Sequence, residues 1–335
     1  MKSADGAEMK QVSSQIVGWG SYLPSRVVTN DDLAASMETS DEWIRSRTGI
    51  GQRHIADASE VSSDLATYAA RQALERANLS PQDVDMIILA TVTPDNTFPA
   101  TAARVQAKLG MTRGIAFDIS AACAGFIYAL SLADNAIRVG QVKTVLIIGV
   151  ETFSRILDWN DRSTAVLFGD GAGAAILQAR ETESHSLEEA LPRGVLGCQL
   201  HTDGSLYDIL KADGGPSVSS SIGRLVMDGQ EVFRNAVVRL VSVAQSLLAT
   251  HQISIDQLDW IIPHQANLRI INATGERLGF PASKTVITVD KHANTSAASI
   301  PLALCTVADQ FKPGDLIFVE AIGAGLVWGA ALIRW

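Results

Sequence analysis

Residues 84–94, VDMIILATVTP, and residues 258–266, LDWIIPHQA, share one pattern: an acidic residue, an apolar run the length of a buried strand, then a loop leading toward a helix. The likeness continues downstream. FDISAAC (117–123) and TVDKHAN (288–294) each end a strand-turn segment and open an Ala-rich helical stretch, which puts Cys123 and Asn294 at equivalent places. TVLIIGVE (144–151) and DLIFVEAIG (315–323) then follow at similar intervals. Two copies of one α/β unit explain this order economically. The expected division is a loose tail at 1–15, a half at 16–180 carrying Cys123, and a half at 181–335 carrying His264 and Asn294.

The pattern predicts buried strands at Asp85–Val92, Ile115–Ile119, Val142–Val150, Ala172–Leu177, Asp259–Ile262, Val286–Val289 and Leu316–Ala321. Helical spacing falls between them at Ser63–Ala77, Ala100–Lys108, Ala124–Val139, Gly229–Leu248 and Ser296–Gln310. Such alternation is the signature of an α/β fold. Two stretches read as loops: the charged 181–194, a surface insertion, and the Gly/Ser-rich ADGGPSVSSSIG (212–223), placed to cover a substrate mouth.

Composition narrows the function. The 335 residues are 47% hydrophobic and 19% charged, which fits a folded enzyme rather than a disordered chain. The apolar runs are about seven residues long against the ~20 that span a bilayer, and the N-terminal residues lack the apolar core of a signal peptide. A cytoplasmic protein without a membrane segment is therefore expected. A formal charge of -9 argues against nucleic acid as a partner. Three scattered cysteines, Cys123, Cys198 and Cys305, are too few for a disulfide framework or a structural metal site.

Taken alone, Cys123 is a small buried hydrophobe, His264 a loop histidine and Asn294 a helix cap. Context changes the reading. The Ala-Cys-Ala-Gly run after a strand places the Cys123 sulfur at a helix N-terminus, where free amides and the dipole favour thiolate. His264 follows the run Trp260–Ile262 at the carboxyl end of a strand, where α/β sheets present functional groups. Cys198 and Cys305 lack such a setting and read as structural. The glycine runs at 169–173 and 323–325 are not a dinucleotide fingerprint, because AAILQA and GAALIRW after them read as strands and not as a helix facing a pyrophosphate.

In order, AACAGF (121–126), PHQANLR (263–269) and HANTSAASIP (292–301) resemble the Cys, His and Asn segments of the β-ketoacyl-acyl carrier protein synthase III family. SDEWIRSRTGI (40–50), FGDGAGA (168–174) and GAGLVWGA (323–330) extend the likeness over nearly the whole chain. The resemblance implies a thiolase-like, duplicated five-layered αβαβα homodimer. It also implies a two-stage reaction: acyl-CoA acylates Cys123, then malonyl-acyl carrier protein loses carbon dioxide and attacks, starting fatty-acid synthesis with acyl-CoA as substrate and no separate cofactor or metal. His264 and Asn294 suit this chemistry as neutral donors to a developing enolate oxygen, each such donor being worth roughly 3 to 4 kcal/mol of barrier. The main-chain amides of Cys123 and Ala324 are the candidate oxyanion hole, Ala324 standing where the family commonly has glycine.

By the same resemblance Trp43, Arg47 and Arg162 hold the CoA nucleotide, and Arg234, Arg269 and Arg277 offer a basic patch to an acidic carrier protein. Glu276 departs from a doubly basic pattern there. Phe98 matches a position that reaches into the partner subunit's acyl tunnel, where a bulky ring favours a short primer. Three other readings stand beside this one: a condensing enzyme of secondary metabolism with another primer or extender, an acyltransferase using His264 as base on an alcohol or amine, and a catalytically silent docking subunit.

Overall fold

The computed structural model describes residues 11–182 and 193–335. Continuous apolar runs become strands covered on both faces: every residue of Met86–Ala90, Thr144–Glu151 and Leu316–Gly323 is buried. The first sheet has the order Gln11–Tyr22, Gly171–Thr182, Thr144–Glu151, Met86–Ala90, Ile115–Ile119. The second has the order Gly194–Thr202, Val327–Arg334, Leu316–Gly323, Trp260–Pro263. Read from these first strands, both sheets make two antiparallel pairings and then a parallel one. The first sheet adds the parallel strand Ile115–Ile119, and the second has only a parallel bridge from Ile261 to Thr285 in that place.

Side-chain alternation turns the two sheets into five layers. On one face of the first sheet, Ile87, Leu89, Leu146 and Ile148 pack with the alanines of the outer helix Ser62–Ala77. Its other face, with Met86, Ile88, Val145 and Ile147, shares a core with Ile317, Val319 and Ala321 of the second sheet. The helices Gly125–Arg138 and Ser299–Val307 contribute Ile127, Leu130, Ile300 and Leu304 to this middle layer. On the far side, Leu316, Phe318 and Leu332 meet Val243, Ala244 and Leu247 of the helix Gly229–Thr250 and Leu278 of the helix Leu268–Leu278.

Two expectations need correction. Residues 11–15, assigned to the tail, belong to the first strand, where Gln11 to Gln15 pair with Thr182 to Gln178. Their polarity hid them: Ser13 and Ser14 are buried small residues, and Gly194 packs directly on the Ser14 carbonyl. Val286–Val289 is not a strand, since Val289–His292 is already helical and the preceding backbone bonds to the Gln265 side chain. Gly229–Thr250 forms a 22-residue helix, long enough by length and composition to span a bilayer, but its apolar face is taken up by the second sheet. The expected insertion at 181–194 lies largely outside the described residues.

The middle layer is tight where the two halves meet. A β-carbon on Gly149 would run into the Ala297 carbonyl, so the turn Ser296–Ala298 lies directly on the strand Thr144–Glu151. Replacement of Gly149 by alanine is expected to destabilise the fold by about 1–3 kcal/mol through overpacking, read as a lower urea midpoint at unchanged m-value.

Candidate active site

Cys123 sits in the one-turn 3-10 helix Ala122–Ala124, which runs into the helix Gly125–Arg138. Ala122 enters this turn at a φ of 43°, a left-handed conformation that non-glycine residues rarely take and that turns the chain sharply between strand and helix. The loop after the strand Leu316–Gly323 presses on the same turn: a β-carbon on Gly323 would stand 2.5 Å from the Cys123 nitrogen. Only glycine fits there, and the close approach brings Ala324 beside Cys123 in one cavity.

Burial dominates the sulfur's chemistry. It pushes the Cys123 thiol up to about 12, ahead of a hydrogen bond with Ser296 that works in the opposite direction, while the nearby Glu151 carboxyl raises it further. The thiolate expected from the helix N-terminus is therefore not the resting form at neutral pH: loss of water outweighs the dipole in so enclosed a position. Burial likewise holds the Cys198 and Cys305 thiols at about 12.

His264 extends the strand Trp260–Pro263, its N–H donating to the Glu320 carbonyl at 2.8 Å. Burial lowers its imidazole to about 3, so the ring is neutral, and among the described residues neither ring nitrogen has a hydrogen-bond partner. Asn294 is bridged to Phe168 and donates its backbone N–H to Leu167 O at 2.9 Å. Its Oδ1 accepts the Ser296 N–H at 2.9 Å, which leaves the carboxamide NH2 as the end available to the cavity that Asn294 lines. Two neutral N–H donors and a thiol thus line one cavity.

That cavity, about 1280 Å³, is lined by Cys123, His264, Asn294 and Ala324 among others. Phe153, Ile156, Phe168 and Leu225 form an apolar cluster along its wall, and the hairpin Leu210–Ala212 with Leu225–Met227 carries the 212–223 loop at its side. Trp43 and Arg47 line it as well, with the guanidinium carbon of Arg47 4.5 Å and that of Arg162 5.1 Å from the Trp43 ring centroid. Arg162 also donates to the Glu38 carbonyl at 2.6 Å. Arg234, Arg269 and Arg277 line the same cavity, Arg234 paired with Glu231 at 3.1 Å and Arg269 over Phe233 at 5.6 Å. Phe98 stands apart, 84% exposed and away from these residues.

Sequence reading passed over three buried polar groups that frame this base. Gln265 donates to Pro263 O and Val286 O and accepts from the N–H groups of Thr288 and Val289, fixing the approach to Asn294. Ser296 touches the Cys123 sulfur and bonds Glu151. Glu151 was visible in principle, as a carboxylate ending the apolar run TVLIIGV, a position where burial calls for a polar partner.

These elements define a thiolase-like condensing enzyme. Residues 117–204 match the family model described as 3-oxoacyl-[acyl-carrier-protein] synthase III, and residues 248–335 match its C-terminal counterpart. The chain is 58% identical over 325 residues to the β-ketoacyl-[acyl-carrier-protein] synthase III of Paramagnetospirillum magneticum, covering 96% of this chain and 99% of that protein. Among solved structures it is similar to 3-oxoacyl-[acyl-carrier-protein] synthase III from Aquifex aeolicus (46% identity, TM-score 0.88, 96% and 100% of the two chains covered). It is also similar to the priming β-ketosynthase of the R1128 polyketide pathway (33% identity, TM-score 0.89, 98% of each chain covered). The chain belongs to the β-ketoacyl-acyl carrier protein synthase III family.

Glu320, whose backbone positions His264, has a buried carboxyl raised to about 8 by desolvation, with Oε2 unpartnered. The folded state therefore keeps a proton that the unfolded chain gives up near pH 4.5, so stability falls as pH rises from about 4.5 to about 8. Glu320→Gln is expected to flatten this decline and to be the more stable form at pH 8.5 by on the order of 2 kcal/mol, measured by urea unfolding at pH 6 and 8.5.

Proposed function

We propose that this chain condenses a short acyl-CoA with malonyl-acyl carrier protein, carrying the acyl group on Cys123 and releasing carbon dioxide, to give the 3-oxoacyl-acyl carrier protein that begins fatty-acid synthesis. The observation that carries the reading is that one buried thiol and two N–H donors, His264 and Asn294, line one cavity.

In the first stage the Cys123 sulfur bonds to the acyl carbon and the bond from that carbon to the CoA sulfur breaks. The oxyanion formed on the way faces the amides of Cys123 and Ala324, held together by the close packing of Gly323. In the second stage the malonyl carboxylate leaves as carbon dioxide, and its electron pair moves into the thioester to make an enolate. A neutral imidazole gives one N–H to that enolate oxygen and Asn294 gives another, in a space where water does not compete. Lowering of the His264 imidazole to about 3 serves this role, since a charged ring would stabilise the malonyl carboxylate and hold back its loss. The enolate carbon then attacks the acyl group and Cys123 departs.

Trp43, Arg47 and Arg162 are proposed to bind the CoA nucleotide through stacking and phosphate pairing, and Arg234, Arg269 and Arg277 to receive the acidic carrier protein. The enzyme works as a cytoplasmic homodimer with acyl-CoA as substrate and no separate cofactor, its halves 16–180 and 181–335 supplying the thiol and the two donors. In that dimer the exposed Phe98 closes the partner's acyl tunnel. The polyketide relative keeps a second reading open, in which the same chemistry serves another primer.

Intact-protein mass after acetyl-CoA, then malonyl-acyl carrier protein, tests the scheme. An acetyl adduct is expected that Cys123→Ser abolishes, and that Asn294→Ala retains but discharges about 100- to 1000-fold more slowly. An adduct that transfers to an alcohol or amine without releasing carbon dioxide overturns the condensing reading. Acyl-CoA of eight carbons or more is expected to acylate poorly, and Phe98→Ala to relieve that limit; efficient acylation of the native chain by such a donor refutes the role of Phe98.

A further inference from the structure

The mechanism above leaves one question of proton accounting, because Cys123 rests as a thiol and must lose its proton to attack. His264 is not bonded to it: among the described residues both ring nitrogens are without partners. The turn that carries Ser296 packs against the turn that carries Cys123, and the Ser296 hydroxyl donates to Glu151 Oε1 at 3.2 Å. Glu151 and Ser296 are fully buried and Cys123 nearly so, which makes any route from sulfur to carboxylate through Ser296 an internal one. Packing holds it in place, since the turn carrying Ser296 rests on Gly149, two residues before Glu151 on the same face of the strand.

We propose that Glu151, acting through Ser296, takes the proton from the Cys123 thiol as the sulfur attacks the acyl donor and returns it when the sulfur leaves. This rests on the reading of Cys123 as acyl carrier. In the forward step the thiol proton passes to Ser296 Oγ while the Ser296 hydroxyl proton passes to Glu151 Oε1. The sulfur is left as thiolate and the carboxylate becomes an acid. The thiolate forms its bond to the acyl carbon, and CoA leaves with the electron pair, to be protonated by water. After condensation Cys123 is expelled as thiolate, and the Glu151 proton returns along the same two bonds, so the cycle closes.

The environment of Glu151 fits an acceptor working near neutral pH. Thr93 Oγ1 donates to it at 2.6 Å, with Thr91 Oγ1 at 3.3 Å and Val92 N–H at 3.2 Å. Ser296 and the Ala297 amide face it from the opposite turn, and the Cys123 thiol is the titratable group beside it. Among the described residues it has no cationic partner, and burial, outweighing these donors, raises it to about 7.

The test is the rate of Cys123 alkylation by iodoacetamide between pH 5.5 and 10, read by intact mass on the full chain. Alkylation of the native protein is expected to rise through about pH 7, as Glu151 ionises. Glu151→Gln and Ser296→Ala, with folding verified by thermal melting, are expected to react at least tenfold more slowly at pH 7.5 and to rise only at more alkaline pH. Glu151→Asp, which keeps a carboxylate, is expected to restore a mid-range inflection. A folded Glu151→Gln variant with the native rate and pH profile overturns the proposal, as does an aspartate variant no better than the glutamine one. Iodoacetamide involves no thioester, so a native chain that alkylates in this manner yet never accepts an acetyl group refutes the acyl-carrier reading and leaves the proton path standing.

Discussion

The contact of two small-residue turns, Ala122–Ala124 and Ser296–Ala298, between two sheets is the constraint on which the site depends. Gly149 and Gly323 admit no side chain because each lies against the backbone of one of these turns. Interiors are packed densely enough that such contacts fix atoms to tenths of an ångström. The thiol comes from one half of the molecule and the two N–H donors from the other, so the accuracy of their meeting is a property of this seam and not of any loop.

Exclusion of water follows from the same packing and sets the charge state of every group there. Cys123, Glu151 and Glu320 are pushed toward their protonated forms and His264 toward its neutral one. In a solvated cleft the same residues would give a charged carboxylate and a partly charged imidazole at neutral pH. The dry interior instead supplies neutral dipoles whose orientation is fixed before the substrate arrives, the arrangement most effective against charge that appears only during reaction.

The fold was legible wherever burial wrote a continuous apolar run: Met86–Ala90, Thr144–Glu151 and Leu316–Gly323 fall inside or within a residue or two of their expected bounds. It was illegible where polar or small residues do structural work, as in Ser13 and Ser14 of the first strand, or where a side chain replaces the backbone ladder, as Gln265 does beside Val286. At the site, residue type and position pointed to Cys123, His264 and Asn294, which the fold brings to one cavity. Glu151 was marked only as a carboxylate ending an apolar run, and its pairing with Ser296 escaped because it depends on a contact across 145 residues of chain, which no local pattern encodes. The thiol's protonation state was misjudged for the same reason, since enclosure is a property of the assembled layers.

The second sheet stops one strand short of the first, with the Thr285 bridge and the Gln265 side chain in place of a fifth strand. The path from Thr285 to Asn294 is held by the Gln265 carboxamide at Val286, Thr288 and Val289, with scattered backbone bonds such as Val286 N–H to Ile261 O and Asn294 N–H to Leu167 O, rather than by a ladder. The half that carries the nucleophile is locked by its own sheet edge. In the half that carries His264 and Asn294, one buried amide stands where the other half has an edge strand, so that stretch of chain owes its shape to a side chain, while the sheet that holds the sulfur owes its shape to backbone pairing.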